Sequence, residues 1–95
     1  MPIYFNITKA RNYLLKNKVV YTLRERKRRY LGKSQIRKGS FIIFEEIGRG
    51  IVSYVKTINN DNELLPYVNQ SGFQEVEDWR KKAGKSKYLY KVELI

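Results

Sequence analysis

The side chains best suited to bind a ligand are concentrated in one short stretch of the sequence. Residues 24–39, RERKRRYLGKSQIRKG, contain eight basic side chains and one acid. Five of the eight are arginines, whose planar guanidinium binds phosphate oxygens in pairs and stacks on nucleobases. Tyr30 and Gly32 interrupt the run with a stacking surface and a flexible joint. The stretch predicts a surface that binds a phosphate chain; the alternative is a solvated, mobile charged loop.

The amino-acid types that are missing narrow the chemistry. The chain has no histidine and no cysteine, so Ser-His-Asp catalysis, Cys-His catalysis and the histidine pair of metal-free ribonucleases are impossible. The same absence excludes disulfides, and a structural zinc site is not expected. No cofactor is predicted. An enzyme with this composition would have to use Lys, Thr, Glu, Tyr or a bound metal ion.

Composition predicts one folded, soluble, intracellular domain. Ninety-five residues suit a single modest core, and 42% hydrophobic residues, with 14% aromatic, argue against disorder. The formal net charge of +11 exceeds what solubility requires and indicates a polyanionic partner. The start of the chain resembles no secretory signal, so we expect a cytoplasmic protein. Without an amphipathic helix that has a large apolar face, no membrane partner is expected. For the oligomeric state we assume a monomer.

The apolar pattern predicts the elements that position the basic stretch. Residues 2–6, PIYFN, are typical of a short strand, and residues 8–17, TKARNYLLKN, of a helix that Thr8 can cap. Residues 19–24, VVYTLR, predict a strand that leads directly into the basic stretch. Residues 25–39 are therefore interpreted as a basic loop that is anchored where it begins.

The second half of the chain predicts a strand pair, a helix and a closing strand. Residues 40–46, SFIIFEE, have apolar side chains on both alternating faces, which predicts a buried central strand. Residues 47–58 supply a tight connection with two glycines and the returning partner strand. Residues 59–72 predict one short helical turn. A helix capped by Ser71 and ended by a glycine then leads to a half-exposed strand at residues 87–95.

Three short motifs follow one another in a recognisable order. They are a Thr-x-Arg strand preceded by a lysine (Lys18, Thr22, Arg24), a Lys-Gly-Ser sequence before a strand, and a Gly-Phe-x-x-Val-Glu helix before the final strand. In this order they resemble the ASCH domain of the PUA-like superfamily, over nearly the whole chain. The resemblance implies a single α+β domain, a small β-barrel of about five or six strands with two or three short flanking helices. It also implies a cleft for RNA or a modified nucleoside.

The resemblance implies a catalytic alternative as well. ASCH-like proteins include amidohydrolases that act on acetylated cytidine through a lysine, a threonine and a glutamate, and some relatives are reported to cleave RNA. The corresponding residues here are Lys18, Thr22 and Glu45, with Arg24 holding the substrate. The family places the lysine three positions before the threonine, whereas Lys18 lies four positions before Thr22. In a strand, a difference of one residue moves the lysine side chain to the opposite face unless a bulge intervenes. The alternative role for Glu45 is a salt bridge with a nearby base such as Arg49.

Two functions from different classes follow. The first, which we favour, is a non-catalytic nucleic-acid-binding module whose basic loop and first helix contact phosphates while Tyr30 stacks on an unpaired base. The residues expected to contact nucleic acid are Arg24, Arg26, Lys27, Arg28, Arg29, Tyr30, Lys33, Arg37, Lys38, Lys9, Arg11 and Lys16. RNA is favoured over DNA only through the resemblance, because phosphate contacts do not distinguish the two. The second function is the amidohydrolase or ribonuclease.

Overall fold

The chain forms one curled, five-stranded sheet with two α-helices, described for residues 1–95 by a computed structural model. The strands and helices, in chain order, are β1 (Ile3–Tyr4), α1 (Thr8–Asn17), β2 (Val19–Arg24), β3 (Gly32–Gly39), β4 (Phe44–Thr57), α2 (Val76–Ala83) and β5 (Tyr88–Leu94). Two short 3-10 helices, Asp61–Leu64 and Val68–Gln70, lie between β4 and α2. None of the helices has the length and hydrophobicity needed to span a lipid bilayer. The predicted α+β class, with a barrel-like sheet and flanking helices, is confirmed.

The sheet is a half-barrel with a gap between its two edges. The strand order is β1-β3-β4-β5-β2, and only the β1–β3 pair is parallel. β4 is the longest strand and pairs with β3 along its first half and with β5 along its second half. The registers shift between Ile36 and Arg37 and between Tyr54 and Lys56. Such bulges bend a strand, and the edge strands β1 and β2 consequently approach each other.

Apolar side chains fill the half-barrel and cover its outer face. The inner cluster combines residues of β1, α1 and all four other strands, among them Phe5, Leu14 and Tyr90. The second cluster packs the 3-10 helices and α2 against the other face of β2 and β5, with Trp79 and Leu89 at its centre. Because β2 and β5 contribute residues to both clusters, these two strands have core on both sides.

One predicted element is wrong: residues 40–46 do not form a buried strand. Residues 40–43 make the turn between β3 and β4, and β4 begins only at Phe44. Phe41, Ile42 and Ile43 are each at least 80% exposed. Apolar alternation has the same appearance in a buried strand and in an apolar turn, so the pattern did not separate them. The two glycines predicted to make a connection, Gly48 and Gly50, instead lie inside β4.

Other boundaries differ for identifiable local reasons. The stretch interpreted as one basic loop is divided, since residues 25–31 connect two strands and residues 32–39 form β3. Thr8 does not cap α1, because Ile7 occupies the cap position without a side-chain bond. Ser71 does not cap α2 either: its hydroxyl donates to the Val68 carbonyl and accepts from the amide of residue 73. The single turn predicted in residues 59–72 is two 3-10 helices.

Gly39 fixes the turn between β3 and β4. Its φ is +111°, and a Cβ built there would lie 2.4 Å from the Ile43 carbonyl oxygen. Gly32 has a similar φ of +100° but no neighbouring atom within 4 Å of such a Cβ. We expect Gly39→Ala to lower the free energy of unfolding by about 1–3 kcal/mol more than Gly32→Ala does, because only the first adds a backbone collision to the conformational cost. Urea unfolding of both variants measures the difference, and equal losses would contradict this account of the turn.

Candidate nucleic-acid interface

Arg24, the last residue of β2, bridges the gap in the half-barrel. Its Nη1 donates to the Tyr4 carbonyl of β1 at 2.7 Å, and its guanidinium lies 4.7 Å from the centre of the Phe5 ring. The Nε atom is shielded from solvent and has no hydrogen-bond partner. Burial, and secondarily the charge of Arg28, lower the pKa of Arg24 to about 10. The side chain is thus a charged group at neutral pH that no carboxylate neutralises.

Arg28 folds the loop back onto the end of the barrel. Its guanidinium donates to the carbonyls of Met1 at 2.9 Å and Pro2 at 3.3 Å, and its Nη2 lies 3.4 Å from the Ser34 hydroxyl. The backbone amide of Arg28 donates to the Tyr90 hydroxyl. Burial lowers the pKa of Arg28, an effect that the neighbouring Tyr90 partly opposes. The loop is therefore fixed to the chain's first residues, to β3 and to β5.

The other cations of residues 25–33 face solvent. Arg26, Lys27, Arg29 and Lys33 are exposed, and none of them forms a salt bridge. The Lys27 ammonium lies 5.0 Å from the centre of the Tyr54 ring. Residues 24–30, together with the first methionine, line a cavity of about 380 Å³. The structure therefore brings the first five basic residues of the stretch around one concave surface, which we call the loop cavity.

Tyr30 lies at the same cavity. Its side chain is 60% exposed, and its hydroxyl has no hydrogen-bond partner within the chain. An exposed aromatic ring among unpaired cations can stack on a base without losing contacts of its own. Its position is compatible with the predicted stacking role.

Arg37 and Lys38 are separated from the loop cavity because they lie near the far end of β3. Arg37 bonds the side chain of Gln35 and the Tyr4 hydroxyl and stacks on Phe44 with 3.6 Å between its guanidinium carbon and the ring centre. Lys38 pairs with Glu45 at 3.9 Å. At about 3.3 Å per residue, an eight-residue strand separates its two ends by roughly 23 Å. The predicted contact surface is therefore not continuous along the basic stretch.

The three basic residues of α1 do not form one surface with each other. Lys9 lies over the Phe73 ring at 5.6 Å, and Arg11 donates to the Phe5 carbonyl at 3.2 Å. Lys16, near the end of the helix, is exposed and makes no ion pair. None of the three lines the loop cavity.

A second cavity, which we call the cleft, adjoins the loop cavity at Arg24. It has a volume of about 280 Å³ and lies between the segment after β1, the end of β2 and the end of α2. Its polar and charged lining consists of two cations, one acid, one amide and two hydroxyls: Arg24, Lys82, Glu25, Asn6, Thr22 and Ser86. Thr22 is 7% exposed and Ser86 is 8% exposed, and neither hydroxyl has a hydrogen-bond partner within the chain. Two hydroxyls and two cations that converge on an apolar-walled cleft are suited to a phosphate or a sugar.

Sequence reasoning missed Lys82 and Ser86. They lie some sixty residues after Thr22 and belong to no motif, so only the packing of α2 beside β2 brings them into the cleft. A serine after a helix is commonplace, and the sequence contains no signal that its hydroxyl would line a cleft without a partner in the chain.

The lysine, threonine and glutamate of the catalytic alternative occupy three different surroundings. Lys18 is exposed at the end of α1, where its left-handed backbone (φ 68°) turns the chain into β2. Thr22 lies in the cleft. Glu45 lies on the exposed β3–β4 hairpin beside Lys38, and its neighbour Glu46 pairs with Arg49 at 3.4 Å. No hydrogen bond or ion pair joins any two of the three, and no group of three acidic side chains is placed to hold a metal ion.

Comparisons with known proteins leave the family open. A scan of protein-family models, a search of curated proteins and a search of solved structures each find no match. The resemblance to the ASCH domain therefore remains a hypothesis.

The bond between the Tyr90 hydroxyl and the Arg28 amide should control the order of the loop. Tyr90→Phe leaves that half-buried amide without its acceptor, so we expect a loss of about 1–3 kcal/mol in stability and faster trypsin cleavage within residues 25–31. Tyr30→Phe is the matched control, since its hydroxyl is unbonded. Limited proteolysis and thermal unfolding measure both effects; identical cleavage rates in the two variants would show that this bond does not hold the loop.

Proposed function

We propose that this protein binds RNA through the loop cavity and the adjoining cleft, and that its half-barrel belongs to the PUA-like class. The observation that carries the proposal is the absence of any carboxylate partner for the six cations between Arg24 and Lys33. Of the fourteen cations elsewhere in the chain, five are paired with acids and nine are not, whereas all six in this ten-residue segment are unpaired. The positive charge around the cavity is therefore left for an external anion.

The shape of the loop supports binding by a preformed surface. The two Nη groups of Arg28 donate to backbone carbonyls, which accept hydrogen bonds without cancelling its charge. A loop held in this way loses little conformational freedom when it binds, so most of the electrostatic gain is retained. Lysines and arginines of such a surface displace the counterions condensed on the RNA phosphates, and the release of these counterions provides much of the binding free energy. The loop would then contact consecutive phosphates, with Tyr30 stacked on an unpaired base.

The cleft supports recognition of one nucleotide beside those phosphates. Arg24 and Lys82 supply charge, and the unpaired hydroxyls of Thr22 and Ser86 can bond phosphate or ribose oxygens. Hydroxyls that bond a ribose 2′-OH would favour RNA over DNA, in agreement with the PUA-like resemblance. In this proposal the protein acts in the cytoplasm, as a monomer and without a cofactor.

Binding, rather than catalysis, is the function that the geometry favours. A threonine hydroxyl becomes a nucleophile only beside a base or a desolvated lysine. Lys18, the lysine of the catalytic alternative, is exposed and lies at the opposite end of β2 from Arg24. Glu45, the glutamate of that alternative, forms a salt bridge with Lys38 on the β3–β4 hairpin. Thr22 has neither neighbour within hydrogen-bond distance, so its hydroxyl is available for binding.

Salt dependence tests the loop cavity. We expect affinity for a single-stranded RNA to fall steeply between about 50 and 200 mM salt, and the double variant Arg26→Gln, Arg29→Gln to reduce the slope of log K against log salt by about 1.4, since each lost phosphate contact contributes about 0.7. Fluorescence anisotropy with a labelled oligonucleotide measures both.

The control removes the same charge elsewhere. Lys81→Gln with Lys85→Gln also lowers the net charge by two, at exposed positions that line neither cavity, and should change the slope by much less. A flat salt response of the parent protein, or equal slope changes in the two double variants, would refute a localised phosphate surface.

Thr22→Val tests the cleft. The substitution keeps the β-branched shape and removes a hydroxyl that has no partner in the chain, so stability should be unchanged or slightly raised. Affinity for RNA should fall about fivefold, the equivalent of one hydrogen bond of roughly 1 kcal/mol. Thr57→Val is the contrasting variant: its hydroxyl bonds Tyr54, so it should lose stability and keep its affinity. Unchanged RNA affinity in Thr22→Val would remove the cleft from the binding site.

A further inference from the structure

The turn between β3 and β4 presents four large apolar side chains to solvent. Phe41, Ile42 and Ile43 are 83%, 82% and 80% exposed, and Phe44 is 45% exposed. Residues 40–44 form what we call the hairpin tip. Contiguous exposed apolar groups of this size mark interaction sites in soluble proteins, whereas single ones do not. The other exposed large apolar residues of the chain form no run of more than two: Tyr30 and Leu31 are adjacent, and Leu65 stands alone.

The hairpin tip is ordered without packing against the core. The Ser40 amide donates to the Ile43 carbonyl at 2.7 Å, and the Ile43 amide donates to the Ser40 hydroxyl at 3.0 Å. Asn6 bonds both the amide and the carbonyl of Gly39 at the base of the turn. The two central positions of such a turn usually carry Gly, Asn, Asp or Pro. Phe41 and Ile42 at these positions contribute nothing to turn formation, which indicates that their role is outside the chain.

The tip projects from the sheet, away from the loop cavity. β5 pairs with β4 only from Gly50 onward, so residues 44–49 have β3 as their one neighbouring strand. β3 begins after the loop cavity and ends at the tip, which separates the two surfaces by roughly 23 Å at 3.3 Å per residue. An RNA strand held at the loop cavity does not cover the tip. The tip is therefore a separate surface.

The charges beside the tip favour an anionic surface. Arg11 and Lys38 line a shallow cavity together with residues of the tip. The two acids of the hairpin are each paired with a cation, Glu45 with Lys38 and Glu46 with Arg49. Arg11 and Arg37, beside the tip, have no acidic partner, so the group formed by Arg11, Arg37, Lys38, Glu45, Glu46 and Arg49 has a net charge of +2. Apolar side chains that insert, with cations at their base, are the combination that binds the interface of an anionic bilayer.

We propose that the hairpin tip inserts into the headgroup and acyl boundary of an anionic lipid bilayer. The expectation of no membrane partner rested on helices alone and placed these side chains in a buried strand. A second copy of the chain is a poorer occupant, because the four side chains expose on the order of 500 Å², below the roughly 800 Å² per partner of a stable interface.

Phe41→Trp provides a direct reporter of insertion. Vesicles of phosphatidylglycerol and phosphatidylcholine, with bromine on the acyl chains, should quench and blue-shift the emission of the new tryptophan. The natural tryptophan, Trp79, is 3% exposed, so the parent protein in the same titration should show no quenching. Absence of quenching in Phe41→Trp would refute insertion.

A second measurement distinguishes insertion of the tip from adsorption that is driven only by the net charge of the protein. Ile42→Ser should weaken vesicle binding about tenfold or more, the effect of losing one buried isoleucine, while Leu65→Ser, at an isolated exposed position, should not. Both sites are exposed, so neither variant should disturb folding. Three results would overturn the proposal: equal vesicle binding by both variants, a parent dimer in sedimentation that Ile42→Ser abolishes, or a loss of RNA binding in Ile42→Ser with vesicle binding unchanged.

Discussion

Two internal guanidinium groups hold together the part of the molecule on which its function depends. Arg24, at the end of β2, bridges the open edge of the half-barrel by donating a hydrogen bond to a carbonyl of β1. Arg28 fixes the following loop to the first residues of the chain by donating to their carbonyls. Both use backbone carbonyl oxygens as acceptors. A carboxylate in their place would neutralise the charge and leave nothing for a ligand. Carbonyl oxygens accept hydrogen bonds from the guanidinium groups and leave the positive charge of both arginines in place. The cost is that the Nε atoms of Arg24 and Arg28 are shielded from solvent and have no hydrogen-bond partner.

This choice of partners divides the basic stretch into residues with different roles. The two internal arginines give the loop its shape. The neighbouring exposed cations present positive charge on a surface that is already formed before a ligand binds. Arg37 and Lys38 have a third role, because each is engaged on the hairpin by an aromatic ring or an acid. The chain thus has two distinct surfaces at the two ends of β3: the charged, concave loop cavity and the exposed, apolar hairpin tip.

Local patterns predicted the elements well wherever propensity and burial agree. The bounds predicted for α1, Thr8–Asn17, and for β2, Val19–Arg24, coincide with those in the structure, because each has a clear period and a clear end. Gly84 ends α2 as the glycine signal indicates. The pattern failed at residues 40–46, where apolar residues are exposed. It also could not separate Arg24 and Arg28 from their exposed neighbours, or find Ser86 beside Thr22, because these depend on contacts between distant segments.

The most direct test of this account is to map an RNA ligand on the folded protein by amide chemical-shift perturbation. Titration of a short single-stranded RNA into isotope-labelled protein should shift the amides of residues 22–30 and of Lys82, Ala83 and Ser86, which line the loop cavity and the cleft. The amides of residues 40–44, at the other end of β3, should stay in place. Shifts spread evenly over all exposed lysines and arginines, or centred away from Arg24, would contradict the claim that the internal arginines build the RNA site.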